Sequence, residues 1–437
     1  MRVLILLVSV ALLSCSKKTS SLLIEDGVSI VNVKIDESGK IPFGPCEPSI
    51  TINPSNPNHV VAGAILDNIY VSNDAGKTWS KDKMKSPFGV YGDPVLRSDY
   101  KGNIYYAHLS NPTGRAYVDK EFLDRIVVQK SEDGGKTWNG GRHPKVRGEK
   151  DQDKEWLHVD PKTNTILMSW TEFDKYGSKN PADRSRILFS KSVDMGETWT
   201  DPIAISQIEG DCIDSDNTTE GAVPTMLEDG TILVTWSMGS KIYLDRSLDG
   251  GKTWLDNDIV VADHFGGWDI KIPGFGRVNG MPILEVDLSD GPHAGTLYIN
   301  WSDQRNGEED TDIWLVESTD NGTTWSDPVR VNDDPPGKHQ FFSWMDVDPK
   351  TGYIYVVFYD RRNHPHLNTD VYIAYSTDGG DNFTNLKISE SPFAPNVNVF
   401  FGDYNDIAAY DGKIRPIWTR LDDYKLSVWT AIIDLKK

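Results

Sequence analysis

The 437-residue chain has only three cysteines and nine histidines, and its 45 Lys and Arg are outnumbered by 65 Asp and Glu. The resulting formal charge of −20 excludes a general nucleic-acid binder, because neutralising phosphates requires an excess of Lys and Arg. It also excludes adhesion to anionic lipid by charge alone. Beyond the first residues no run approaches the roughly 18 apolar residues of a membrane-spanning helix. No Gly-rich loop stands between a strand and a helix, so a phosphate- or nucleotide-dependent enzyme finds no support. Cys46 and Cys212 have no Cys or His neighbour at metal-ligand spacing, which argues against zinc and leaves a disulfide or two free thiols open. Asp211–Asp216 is acid-rich but lacks the Gly and terminal Glu of a calcium loop; it reads as an acidic surface loop. No metal or other cofactor is expected, and structural Ca²⁺ is unsupported. What remains, 25% charged and 38% hydrophobic residues, is an ordinary globular composition.

Met1-Arg2 precedes an almost wholly apolar run, Val3 to Leu13, long enough for a signal h-region and too short to span a bilayer. The following Leu12-Leu13-Ser14-Cys15 resembles a bacterial lipobox. That resemblance implies cleavage before Cys15, a lipid on its thiol, and a place on the bacterial cell envelope with membrane contact through the lipid alone. Residues 1–14 are therefore expected to be a signal peptide, 15–27 a tether and 28–437 one domain, monomeric by preference.

Two repeats set the architecture. The first, Ser-x-Asp-x-Gly-x-Thr-Trp, begins at Ser72, Ser131, Ser192, Ser247 and Ser318, with a degenerate sixth copy from Ser376 to Phe383. Its aspartates, Asp74, Asp133, Asp194, Asp249, Asp320 and Asp378, are 59, 61, 55, 71 and 58 residues apart. A period near 60 marks repeated supersecondary units. The Asp can accept turn N–H groups, the Gly can take positive φ and the Trp can pack between sheets, so each copy reads as a structural hairpin clip. The second repeat is a strand, a turn and a strand ending at Ala64, His108, Trp170, Trp236, Trp301, Phe358 and Trp418. Seven hairpins and six clips predict an all-β propeller of seven four-stranded blades, with the clips on the outer strands. The last unit lacks its clip, and Val28–Ile35 is expected to close the ring beside Leu426–Ile433, because an unclosed ring leaves open edges.

The clip resembles the Asp-box of the sialidase (bacterial neuraminidase repeat) superfamily of β-propellers, over residues from about 45 onward. Sialidases have six blades, which makes six the runner-up. The resemblance implies an exo-acting glycoside hydrolase cleaving a terminal, anionic sugar from a glycan. Related seven-bladed propellers include polysaccharide lyases and rhamnosidases acting on uronic-acid polymers, for which His108, His158, His339 or Tyr404 offers a base. A non-catalytic glycan- or protein-binding propeller is the third possibility.

In a propeller, the start of each inner strand and the end of the next strand meet at one face around the axis. Inner-strand starts contribute Glu47, Asp93, Glu155, Glu220, Asp403 and Tyr404. Ends of second strands contribute His108, Glu172, Asp174, Asp303, Arg305, Asp360, Arg361, Arg362 and Arg420, and connecting loops add Asp153, His339 and Trp344. Acids, arginines and aromatics together suit a sugar site. The resemblance implies Asp93 as general acid, Glu220 and Tyr404 sharing the nucleophile role, and Arg305, Arg361, Arg362 and Arg420 gripping an anion. Cys46 stands where the family opens its first blade with an arginine.

Overall fold

The computed structural model describes residues 20–25, 27–39 and 44–435; Cys15 and the expected signal peptide lie outside them. It is a ring of seven antiparallel sheets, and its only helical element among the described residues is the single 3₁₀ turn Ala116–Val118. The first blade runs Ser49–Ile52, Val60–Ala64, Asn68–Ser72 and Ser80–Lys83 from the axis outward. The third to sixth blades repeat this order, starting from Asp151–Val159, Glu220–Met226, Ile283–Val286 and Gln340–Val347. The second blade has three strands, Val95–Ser98, Ile104–Leu109 and Ile126–Ser131, with only a bridge from Val128 to Arg142 in the fourth place. All seven aligned strand ends of the second repeat fall in second strands.

Ring closure follows the expected register. Val28–Glu37 pairs antiparallel with Lys425–Asp434, placing Ile30 opposite Ile433 and Val33 opposite Thr430. One difference emerges outside it. Ser20–Glu25, expected in the tether, forms a fifth strand against Val28–Glu37, which covers the otherwise open edge of the final blade.

Burial explains why the strands differ in composition. Glu220–Met226 and Ile232–Met238 are buried at every residue because neighbouring blades cover both faces, so they read as continuous runs rather than alternating ones. The outermost Ser80–Lys83 and Ile203–Ala204 are exposed throughout. The clips tie these layers together. In the second blade Asp133 accepts the Thr137 N–H at 2.9 Å and the Thr137 hydroxyl at 2.7 Å, while Ser131 Oγ takes the Gly135 N–H at 2.8 Å. All six copies repeat this pattern, and in the degenerate sixth Asn382 replaces the Thr by donating its amide to Asp378. Gly251 must lack a side chain: its φ is +86°, and a Cβ there would sit 2.7 Å from the Phe189 ring of the preceding blade.

Candidate active site

Five blades enter the axis through the same backbone irregularity. Glu47, Asp93, Lys154, Gly221 and Phe342 all have positive φ, between 49° and 72°, each two residues ahead of an inner-strand residue. In the third, fourth and sixth blades the ladder register breaks at this point, between Asp153 and Trp156, Glu220 and Val223, and Phe341 and Trp344. A bulge re-aims side chains at a strand end, and left-handed non-glycine residues carry a strain of about 1–3 kcal/mol that tends to persist at functional sites. Here the bulges turn acidic side chains toward the axis.

The channel is closed halfway by an aromatic plug. The Trp156 and Trp344 rings lie 4.2 Å apart, with Tyr404 5.8 Å and 6.0 Å from them. A pocket of about 250 Å³ is lined by the charged residues Glu47, Asp93, Asp153, Lys154, Arg277 and Asp403. Ile65, Leu66, Tyr91, Leu109, Tyr117, Leu123, Tyr176 and Phe400 complete its lining. Tyr117 and Phe400 are exposed at the rim, where ring faces suit sugar stacking.

Two cations hold the acids in place. Lys154 Nζ is 2.7 Å from Asp403 and 3.4 Å from Asp93. Arg277 bridges Asp403 at 2.6 Å and Asp214 at 2.5 Å, and Asp214 also accepts the Tyr176 hydroxyl at 2.7 Å. Asp403 is thereby held below the usual carboxylate range: burial opposes its charge, but Arg277 and Lys154 outweigh it. The remaining acids go the other way. Burial, then the neighbouring Asp93 and Asp403, push Glu47 well up, although its Oε1 accepts the Asp403 N–H at 3.0 Å. Burial also lifts Asp153 to about 7 and raises Glu155 and Glu220 well above the ordinary value. Groups a few ångströms apart are thus driven to opposite protonation states, which is how acid and base roles are divided within one site.

The structure gathers Glu47, Asp93, Glu155, Glu220, Asp403, Tyr404 and Trp344 at this mouth, but it does not pair Glu220 with Tyr404. Both carboxyl oxygens of Glu220 and the Tyr404 hydroxyl are buried without a hydrogen-bond partner. Burial, and after it the neighbouring acids Asp93 and Glu47, raise the Tyr404 phenol well above its ordinary value, a poor setting for a phenolate nucleophile.

The four arginines expected to grip an anion are tied elsewhere. Arg305 pairs with Asp303 at 2.7 Å and lies 4.2 Å over Trp314. Arg362 pairs with Asp360 at 2.7 Å and lies 4.3 Å over Tyr372. Arg420 binds Asp422 and Ser391. Asp303 and Asp360 therefore serve as partners at blade ends. Arg361 is buried, donating to the Thr369 hydroxyl and the Pro273 carbonyl. His108 does not line the pocket; its Nδ1 is 2.8 Å from the Leu109 carbonyl, and burial lowers it to about 4.

Lys154, Arg277, Asp214 and Tyr176 were not singled out from the sequence as site residues. Arg277 sits on a flap, residues 264–282, whose arms meet at the Asp269–Asn279 bridge. Asn279 fastens it to the Asp403 carbonyl at 2.8 Å, and Arg361 props it through Pro273. The longest clip spacing, 71 residues between Asp249 and Asp320, was the signal of this insertion. Asp214 belongs to the segment read as an acidic surface loop, which instead sends one acid inward. Cys46 and Cys212 are both free and buried. Among the described residues, no group of three or more His, Cys, Asp or Glu is placed to hold a metal ion.

Comparison with known proteins agrees with this architecture. The BNR/Asp-box repeat family matches residues 70–81. A sialidase of Bacteroides fragilis (strain YCH46) is 23% identical over 226 residues, covering 48% of this chain and 38% of that protein. The chain thus matches well under half the length of that curated relative. A polysaccharide lyase of family PL25, an ulvan lyase solved with a -[GlcA(1-4)Rha3S]- ligand, superimposes with TM-score 0.52 at 12% identity, covering 90% of this chain and 94% of the lyase. A protein of unknown function from Dyadobacter fermentans DSM 18053 gives TM-score 0.50 at 15% identity, covering 93% and 99%.

Proposed function

From the premise that this chain is a sialidase-like Asp-box β-propeller, we propose that it is a glycan-acting hydrolase whose general acid is Glu47. The observation that carries the reading is the pairing of unlike carboxyls at the mouth: Glu47, held protonated by burial and acidic neighbours, beside Asp93, ion-paired to Lys154. In this mechanism the Glu47 proton passes to the glycosidic oxygen as the C1–O bond breaks. The Asp93 carboxylate takes a proton from the water that attacks C1, or attacks C1 itself, with the separation of the two groups deciding inversion or retention. Either route consumes one water: in retention Glu47 recovers its proton from the water that cleaves the glycosyl–Asp93 ester, and in inversion the proton gained by Asp93 returns to Glu47 through solvent. The role given to Asp93 thus changes from acid to base or nucleophile, because the ion pair supplies its countercharge. Support from relatives is of a coarser kind: the matched Bacteroides protein is named a sialidase.

A lyase reading is less well served. Burial lowers His158 and His339, like His108, to about 4, and none of the three lines the pocket. The expected lipid on Cys15 would hold the propeller at the cell envelope, facing glycans outside the cytoplasm. The test is incubation of the protein from Ser16 onward with a panel of reducing-end-labelled glycans. Release of a terminal sugar that Glu47→Gln abolishes supports a hydrolase; unsaturated products indicate a lyase, and binding without any product indicates a binding propeller.

A further inference from the structure

We propose that the mouth selects a sugar carrying a free ammonium group, an amino sugar without an N-acyl cap, and disfavours sugars bearing a carboxylate. The inference rests on the glycan-acting reading above and names its substrate class.

The countercharges present are already committed. Lys154 lies between Asp93 and Asp403, and Arg277 between Asp403 and Asp214. A carboxylate entering the pocket would meet Glu47, Asp93, Asp153 and Asp403 in its lining, with both cations already shared among acids. Where the superfamily resemblance calls for an arginine stands Cys46, fully buried.

The acceptors, by contrast, are in surplus. Asp403 lines the pocket, is 2% exposed, and its Oδ1 has no hydrogen-bond partner. Glu155 and Glu220 do not line the pocket; they are 1% and 0% exposed, and all four of their carboxyl oxygens lack partners. Leaving a buried acceptor unpaired is costly, so Asp403 Oδ1 gains from a guest that brings donors. An ammonium brings three donors and a positive charge, whereas a hydroxyl brings one donor and none. Tyr91, Tyr117 and Phe400, which also line the pocket, offer aromatic surface to the apolar face of the sugar ring. The protonated acids lend further support, since a bound cation stabilises the ionised form of each neighbour and relieves the repulsion that holds their protons on.

The experiment is calorimetric titration of the Glu47→Gln protein, in which hydrolysis is suppressed, with three oligosaccharides of one length: glucosamine, N-acetylglucosamine and galacturonate. The expected result is at least about tenfold tighter binding of the glucosamine oligomer than of either other. Asp153→Asn, which removes one ionisable carboxyl from the lining and leaves both ion-paired cations in place, should shrink that ratio severalfold while the circular dichroism spectrum stays that of the folded protein. Equal affinity for the glucosamine and N-acetyl oligomers, or tighter binding of the galacturonate, would overturn the ammonium preference and leave the glycan-acting reading standing. If none of the three binds and the wild-type protein releases no sugar from the glycan panel, both readings fall together.

Discussion

The rim and the mouth of this propeller use the same functional group in opposite ways. At the rim, Asp133 is almost fully in water, yet each oxygen is engaged by Ser131, Lys136 or Thr137. Led by the Thr137 N–H, those donors hold its carboxyl down at about 2. At the mouth, Glu155 and Glu220 are buried with no donor at all, and burial raises them. A carboxylate rewarded with turn donors stabilises a fold; one starved of them stores a proton and awaits a ligand. The difference also sorts the acids by sequence behaviour. Rim aspartates recur with the blade period, while mouth acids occupy equivalent starts of inner strands without a shared motif.

The largest effect expected is on catalysis. Glu47→Gln should lower kcat by about 10² to 10⁴-fold, the range for loss of a general acid, with an unchanged melting temperature by calorimetry. A fall in stability with kcat per folded molecule intact would place Glu47 with the structural acids. Next comes the plug: Trp344→Ala, at a fully buried ring packed at a tilt against Trp156, should cost about 3–5 kcal/mol in denaturant unfolding. A smaller loss would mean the channel collapses around the gap.

The two regions should also respond oppositely to pH. The folded protein keeps a proton on Asp153 up to about 7, against an ordinary value of 3.8. Its contribution to stability is therefore fully present below pH 3.8 and lost as the pH rises through 7, at a slope of up to about 1.4 kcal/mol per unit. Asp133 has the reverse sign: its contribution is present above 3.8 and lost as the pH falls through about 2. Thermal melts from pH 4 to 8 should flatten in Asp153→Asn. The smallest effect is expected from Asp133→Ala, which should lower the melting temperature by a few degrees at neutral pH and leave kcat unchanged; a loss of activity there would erase the distinction between rim and mouth.

Much of the ring was legible in the sequence because it is repetitive. The clips, the seven strand ends and the closure by Val28–Ile35 each follow from a pattern that local chemistry enforces. The mouth acids were legible because topology alone sends inner-strand starts to the axis. The arginines were not, because Arg305 and Arg362 satisfy adjacent aspartates two residues away, a local solution that composition cannot distinguish from a ligand site. Arg277 stayed hidden for the opposite reason. It comes from a non-repeating insertion, and only its contacts across 126 residues to Asp403 reveal its place. Asp214 likewise depends on a loop path that no period dictates.

The central claim is that Glu47 at the mouth holds its proton at neutral pH while the clip aspartates at the rim do not. Infrared spectroscopy of the protein at pH 7 tests it directly, since the carbonyl stretch of an un-ionised carboxylic acid is separate from that of a carboxylate. The account predicts an un-ionised band in the wild-type protein that weakens in Glu47→Gln and is unaffected by Asp133→Ala. A spectrum with every carboxyl ionised, or a band that responds to the rim substitution and not to Glu47, would contradict it.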